Sequence, residues 1–148
     1  MQTSTHLTFN GNCREAFKWY AEIFGGTIVF AMTYGESPMA TQVAVDWRDK
    51  IAHARLDFGR GYILGADPPP NYYRAAAGFD VMVAVSEPEE AERIFNILAR
   101  DGTIRMPCGE TFWARRFGMC VDRFGIPWMV NCEKPLDAVA ASARRAAG

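Results

Sequence analysis

The sequence predicts an α+β fold built from two copies of one unit, each with a strand, a helix and several further strands. Two observations lead to this prediction. Apolar residues spaced three and four positions apart predict a helix over residues 12–24 and another over residues 87–100. A predicted strand precedes each helix and several follow it, and such a unit cannot close a core alone. We therefore expect the two copies to pack on each other within the 148 residues.

Each helix is predicted to begin at a capping box. In this motif a polar side chain covers the first free backbone amides, and a Glu three residues later reaches back to the cap. Asn12 and Glu15 form the first box, and Ser86 and Glu89 form the second. Glycines end both helices, at Gly25 and at Gly102.

The strands follow from apolar alternation between turn signals. They are predicted at 5–10, 27–34, 41–47, 51–58 and 62–66 in the first copy, and at 79–85, 103–106, 117–122 and 128–132 in the second. The stiff segment Asp67–Asn71 holds three prolines and divides the copies. We expect a single domain over residues 1–148, with a first module at about 4–66, a crossover at 67–77, a second module at about 78–132 and a tail at 133–148 that is a short helix or a frayed end.

Composition restricts the class of protein. The chain has 16 basic and 17 acidic residues, so its charge balance gives no reason to expect nucleic acid or a membrane surface as partner. No apolar run approaches the roughly 20 residues that span a bilayer, and the N-terminus has no signal-peptide pattern. We expect a cytoplasmic protein. Its four cysteines form no C-x-x-C pair, so they are expected to be reduced thiols rather than a zinc or redox site.

Several short segments carry a family resemblance. They are Leu7–Cys13, Phe24–Gly26, Glu36–Met39, Gly65–Asp67, Thr111–Trp113 and Asp122–Trp128. In this order and spacing they resemble the PhnB-like branch of the vicinal oxygen chelate superfamily, which also holds glyoxalase I, bleomycin-resistance proteins and extradiol dioxygenases. The resemblance covers about residues 4–133. It implies a glyoxalase-like fold of paired βαβββ modules, whose curled mixed sheets enclose a central cavity that is usually completed in a homodimer.

The resemblance also implies where a metal would bind. Enzymes of the superfamily hold a divalent metal with side chains from four strands, typically His or Gln and Glu. In this chain the matching positions fall on Thr5, Arg55, Asp80 and Met129. A permanent cation opposes metal binding, and a thioether is a weak partner for a hard ion. We therefore expect no cofactor; if a divalent metal binds, the residues left to hold it are His6, His53 and Asp80.

Alternation along strand 51–58 predicts a polar face. It places Ala52, Ala54, Leu56 and Phe58 on one side and His53, Arg55 and Asp57 on the other. A cation beside a titratable donor suits an anionic or carbonyl-bearing ligand. The predicted ligand-binding residues are His53, Arg55, Asp80, Trp113 and Asn131.

Each of these residues also has a structural interpretation. His6 and His53 could be polar residues that line a partly hydrated cavity and are satisfied by neighbours or water. Arg55 could form a salt bridge with Asp57 or Asp80. Trp113 could belong to the core or to a dimer contact, rather than to an aromatic and cationic wall with Arg115 and Arg116.

Two functions therefore stay open. The first is a protein that binds a small anionic or aromatic molecule without the superfamily's full metal site. The alternative is an enzyme, either a metal-dependent glyoxalase-like lyase or dioxygenase with a rearranged ligand set, or a metal-free acid/base catalyst. Relatives of this branch sometimes carry a demethylubiquinone methyltransferase label. No glycine-rich strand-to-helix loop that could seat S-adenosylmethionine is found in the sequence.

Overall fold

The computed structural model describes residues 1–148 and divides them into two compact units, Met1–Ala76 and Ala77–Gly148. The first unit contains strands β1 (Thr5–Thr8), β2 (Thr27–Thr33), β3 (Ile51–Asp57) and β4 (Tyr62–Ala66) and helix α1 (Cys13–Phe24). The second unit contains β5 (Val81–Ala84), β6 (Thr103–Gly109), β7 (Ala114–Val121), β8 (Pro127–Glu133) and helices α2 (Pro88–Leu98) and α3 (Leu136–Ala147). None of these helices is long and apolar enough to span a membrane.

The two units repeat one sheet topology. The strand orders are β1-β4-β3-β2 and β5-β8-β7-β6. In each sheet the first strand of the unit pairs with its last strand in parallel, and the other neighbours are antiparallel. The predicted α+β class, the paired βαβββ pattern and the mixed sheets are therefore confirmed, and the sheets are curled but not closed.

The strand predicted at residues 41–47 is wrong. This segment is a series of turns that ends in the 3-10 turn Val45–Trp47. The backbone amides of Ala40, Gln42 and Trp47 donate to carbonyls three residues earlier, so local turns take up the hydrogen bonds that a strand would have used. Val45 is 75% exposed, which shows that the apolar alternation here does not reflect a buried face.

Helix α1 packs its apolar side on the sheet of the first unit. Leu7 and Phe9 are buried, and the Phe9 and Phe17 rings meet edge to face at 6.0 Å. Gly65 of β4 lies beneath the helix, where a Cβ atom would come within 2.5 Å of the Phe17 ring. The absence of a side chain at Gly65 therefore allows the close approach of helix and sheet.

The predicted capping boxes are wrong. Asn12, which precedes α1, makes no side-chain capping hydrogen bond. Helix α2 begins one residue later than predicted, so that Glu87 rather than Ser86 precedes it, and Glu87 makes no side-chain capping hydrogen bond either. At α1 the buried carboxylate of Asp67 takes this role, because its Oδ1 accepts from the amides of Gly11 at 2.9 Å and Cys13 at 3.0 Å. Its Oδ2 accepts from the Ile51 amide at 3.0 Å, so one side chain joins the starts of α1 and β3 to the end of β4.

Helix α2 covers the sheet of the second unit. Trp128, Val130 and Cys132 alternate towards the buried side of β8, and Trp128 belongs to the core. The Trp128 indole donates to Asp122 Oδ2 at 2.8 Å. Asp122 Oδ1 accepts from the amides of Phe124 and Ile126, so this buried carboxylate shapes the turn before β8.

Candidate functional site

The face of the first sheet that points away from α1 carries the predicted polar residues. In register across the sheet, His6 pairs with Leu64, Leu64 with Arg55, and Arg55 with Phe30. Ala54 and Leu56 are buried on the opposite face, as alternation predicts. A register shift between Met32 and Thr33 disturbs this alternation at the start of β3: Ile51 is buried there and Ala52 is only half-buried.

His6 and His53 come together on this open face. Their rings stack with centroids 6.4 Å apart and an interplanar angle of 22°, although β4 separates their strands. Loss of solvent around the ring, and then the neighbouring His53, lower the pKa of His6 below its usual 6.5. The Phe30 ring lies 5.8 Å from the His53 ring on the side of β2. The pair therefore favours neutral imidazole at His6, which can both donate and accept a hydrogen bond.

Arg55 lies on the same face as His53 and contacts both an aromatic ring and a carboxylate. Its guanidinium carbon sits 3.9 Å from the centre of the Tyr62 ring, in cation–π geometry. Its Nη2 donates to Asp57 Oδ2 at 3.0 Å, so the salt bridge weighed from the sequence forms with Asp57. The Gly59 amide, and then Arg55, lower the pKa of the Asp57 carboxyl. The Arg55 Nε is buried without a hydrogen-bond partner, while 41% of the side chain is exposed.

In the second unit, Asn131 lies on the open face of the sheet, opposite the buried row of β8. It pairs with Ala84 on β5 and with Phe117 on β7. Asn131 is 4% exposed, and its Nδ2 donates to Glu133 Oε1 at 3.2 Å. The remaining atom, Oδ1, is buried without a donor.

Trp113 is brought near Asn131 through Phe117. The Trp113 ring meets the Phe117 ring at 5.2 Å and the exposed Phe112 ring at 4.8 Å. The two arginines that follow it do not form the wall weighed from the sequence. Arg115 donates to the Ser86 carbonyl, and Arg116 pairs with Glu92 of α2. An aromatic group therefore stands beside Asn131, and of the two arginines only Arg115 lines a cavity together with Asn131.

Asp80 precedes β5 and is joined to the far edge of its sheet. Its carboxylate forms an ion pair with Arg105 of β6, and its side chain is 13% exposed. Arg105 was not among the residues singled out from the sequence, because nothing in a strand pattern shows which distant cation will reach a given carboxylate. The structure thus brings His53 together with Arg55 in one unit, and Trp113 together with Asn131 in the other.

The residues at the superfamily's metal positions do not fit a divalent metal. Arg55 is a cation already paired with Asp57, Met129 offers only a thioether, and the Asp80 carboxylate is taken by Arg105. No group of three or more His, Cys, Asp or Glu side chains is placed to hold a metal ion. The chemistry that these residues can supply is hydrogen bonding and charge pairing.

The surroundings of Cys120 oppose a role as nucleophile, and those of Glu110 oppose a role as general base. Burial raises the pKa of the Cys120 thiol to about 11, so the thiolate needed for attack is scarce at neutral pH. The Lys134 ammonium, 2.6 Å from Glu110, holds the pKa of that exposed carboxyl below its usual value. A general base needs the opposite shift.

The paired βαβββ modules with mixed sheets define a glyoxalase-like fold. Residues 1–131 match the family model described as 3-demethylubiquinone-9 3-methyltransferase. The chain belongs to this family, the PhnB-like branch, as the segments quoted from the sequence predict.

Similar proteins support this assignment. The chain is 34% identical to protein YjdN of Escherichia coli over 90% of its own length and 97% of that protein. It is 46% identical to protein PA1353 of Pseudomonas aeruginosa, whose crystal structure matches with a TM-score of 0.83 over 91% of this chain and 99% of that one. The fosfomycin resistance protein FosX of Listeria monocytogenes, in complex with Mn(II) and a dihydroxypropylphosphonic acid, shares the fold at 8% identity, with a TM-score of 0.62 over 93% of this chain and 95% of that one.

Proposed function

We propose that this PhnB-like protein binds a small anionic or aromatic molecule without the superfamily's metal, and that Arg55 pairs with the ligand's charge. One observation carries the proposal. At the position of the family's carboxylate ligand stands a guanidinium, held over Tyr62 on the open sheet face beside His53. A cation there favours an anion where the metal enzymes favour a metal.

The surroundings of Arg55 suit an anion. A guanidinium has five N–H donors, and the described contact with Asp57 uses only one nitrogen. Because the side chains of Arg55 and Asp57 are 41% and 31% exposed, water screens this ion pair, and a ligand carboxylate or phosphate can share it or replace it. His6 and His53 add hydrogen-bond donors, and the rings of Phe30 and Tyr62 provide apolar contact for an aromatic group.

The second unit contributes the other predicted ligand-binding residues. We propose that, within this unit, Trp113 offers an aromatic surface and Asn131 a hydrogen-bond acceptor to a small molecule. Asp80 contributes indirectly, because its carboxylate forms an ion pair with Arg105 and so holds that cation in place. The methyltransferase activity in the family's description is not part of the proposal, because the strand-to-helix connections at residues 9–12 and 85–87 have no glycine-rich loop to seat a nucleotide-like cofactor.

A thermal-shift screen tests the proposal. Chelator-treated protein is mixed with small carboxylates, phosphates, phosphonates and aromatic acids, because a ligand that binds only the folded state raises the melting temperature. We expect at least one anion to raise it, and Arg55→Gln to weaken that binding about tenfold or more, since a hydrogen bond to a charged group contributes roughly 1.5–3 kcal/mol.

The matched control is Arg93→Gln. Arg93 is a half-exposed surface arginine on α2 that also pairs with a carboxylate, that of Glu90. It should leave anion binding unchanged. Binding that requires an added metal, or that survives Arg55→Gln at full strength, would overturn the proposal.

We also propose that the chain works as a homodimer. The edge strands β2 and β6 leave backbone groups unpaired, and they carry exposed apolar side chains at Val29, Phe30 and Ile104. Natural proteins usually cover or pair such edges. A second copy of the chain can bury these residues symmetrically.

A further inference from the structure

We infer that the second unit binds the ammonium group of a small zwitterionic ligand, an α-amino acid or a similar amino-carboxylate, at Asn131. This inference rests on the proposed function, since Asn131 is one of its ligand-binding residues, and it names the class of ligand that the second unit binds. It is based on an unpartnered buried acceptor, on the charges beside it and on the cavity that they line.

The orientation of the Asn131 amide is set by its neighbour. Its Nδ2 lies 3.2 Å from Glu133 Oε1, and only the nitrogen end of the amide can donate to a carboxylate. Oδ1 is therefore the other atom, and it is buried without a donor in a residue that is 4% exposed. Buried polar atoms are almost always hydrogen-bonded in folded proteins. Oδ1 thus lacks a hydrogen-bond partner within the chain, which a bound molecule could supply if the amide is presented to it.

Asn131 is also a wall residue of a cavity of about 330 Å³. Its walls are Ala84, Val85, Ser86, Arg115, Asn131 and Glu133, from the carboxyl ends of β5 and β8 and the start of β7. This volume is at the small end of the range for binding pockets, roughly 300–1,000 Å³, which suits a metabolite rather than a nucleotide.

The charges in the wall select the ligand. The Asn131 Oδ1 and the Glu133 carboxylate are two acceptors joined through one amide, and together they favour a protonated amine over a neutral hydroxyl. The remaining charged wall residue is Arg115. It donates through Nη2 to the Ser86 carbonyl and keeps further N–H groups for a carboxylate. An amine and a carboxylate on one small molecule satisfy both sides of the cavity.

Binding measurements with matched analogues test this inference. The probes are the twenty common amino acids, followed by the amine and the carboxylic acid that correspond to the best binder, each lacking one of its two charged groups. Thermal shift finds the binder and calorimetry gives its Kd. We expect the amino acid to bind about tenfold or more tightly than the analogue without the amine, because a charge-assisted hydrogen bond is lost.

Two variants place the amine at Asn131. Asn131→Leu removes the acceptor with similar volume, so amino acid binding should weaken about tenfold or more. The melting temperature of the free protein should not fall, because an unsatisfied buried oxygen is also removed. Glu133→Gln alters an exposed residue and should weaken binding without any folding defect. Asn96→Leu, at an exposed asparagine of α2, is the control and should bind normally.

Three results would overturn the inference: no amino acid raises the melting temperature, the analogue without the amine binds as well, or both Asn131→Leu and Glu133→Gln bind like the unchanged protein. The proposed function is tested by other measurements, namely the binding of simple anions and the effect of Arg55→Gln on it. Anion binding that depends on Arg55 would therefore support the proposed function even if no amino acid bound to the protein.

Discussion

Replacing Asp67 should loosen the first unit at three points at once. This carboxylate is 1% exposed and accepts hydrogen bonds from the amides of Gly11, Cys13 and Ile51. In Asp67→Ala these donors lose their acceptor. Asp67→Asn keeps one acceptor oxygen, but its NH₂ group faces a backbone N–H and cannot accept a hydrogen bond from it. The amides on one side of the side chain therefore lose their acceptor.

The magnitude follows from burial. The bonds to Cys13 and Ile51 are buried, and the bond to Gly11 is partly open to water. Two unsatisfied buried donors cost about 2–6 kcal/mol in total. Burial raises the pKa of Asp67 even though three amides favour its charged form, so the carboxylate also carries a desolvation penalty that its removal relieves. We therefore expect Asp67→Ala to lower the free energy of unfolding by about 2–4 kcal/mol, and Asp67→Asn by less.

Urea unfolding followed by tryptophan fluorescence measures this loss, with Asp46→Asn as the control at an exposed aspartate of the same unit. The control should change stability by about 0.5 kcal/mol or less. A loss below about 1 kcal/mol for Asp67→Ala would refute the reasoning, because it would mean that water satisfies the three amides when the carboxylate is gone.

Three further predictions test the faces of the first sheet and the assembly. Leu56→Ala should cost about 2–5 kcal/mol in urea unfolding, while Arg55→Ala should cost about 1 kcal/mol or less; the reverse order would mean that the faces are exchanged. His53→Gln should raise the pKa of His6 in an NMR titration, and an unchanged pKa would contradict this. The free energy of unfolding of the unchanged protein should fall as the pH drops below 6.5, because His6 takes up a proton less readily in the folded state than in the unfolded state. Light scattering should give a dimer mass at micromolar concentration, and a monomer mass would contradict the assembly proposal.

Local patterns predicted most of the fold. The period of α1 and the alternation of Ala54 and Leu56 depend on neighbouring residues, and the structure confirms both. Residues 41–47 show why the same method failed there. Apolar alternation records only residue types, and it cannot show that local turns have already taken the backbone hydrogen bonds of a segment whose side chains stay exposed.

The contacts of the site were harder to predict from the sequence, because the residues that form them are far apart along the chain. The capping role of Asp67 depends on contacts with residues 54 and 56 positions away, and the pairing of Asp80 with Arg105 spans 25 positions. A polar residue directly after the apolar strand Tyr62–Ala66 was the available signal for Asp67. The pairing of Arg55 with Asp57 was foreseeable, because two residues apart on a strand they share a face.

Elemental analysis of the purified protein shows whether a metal ion is bound. We predict that no transition metal stays with the chain in stoichiometric amount after dialysis, because an ion-paired arginine and a thioether occupy the family's metal positions. One zinc, nickel, iron or manganese ion bound firmly per chain would contradict it. That result would replace a metal-free binding protein with a metal enzyme whose ligand set is rearranged.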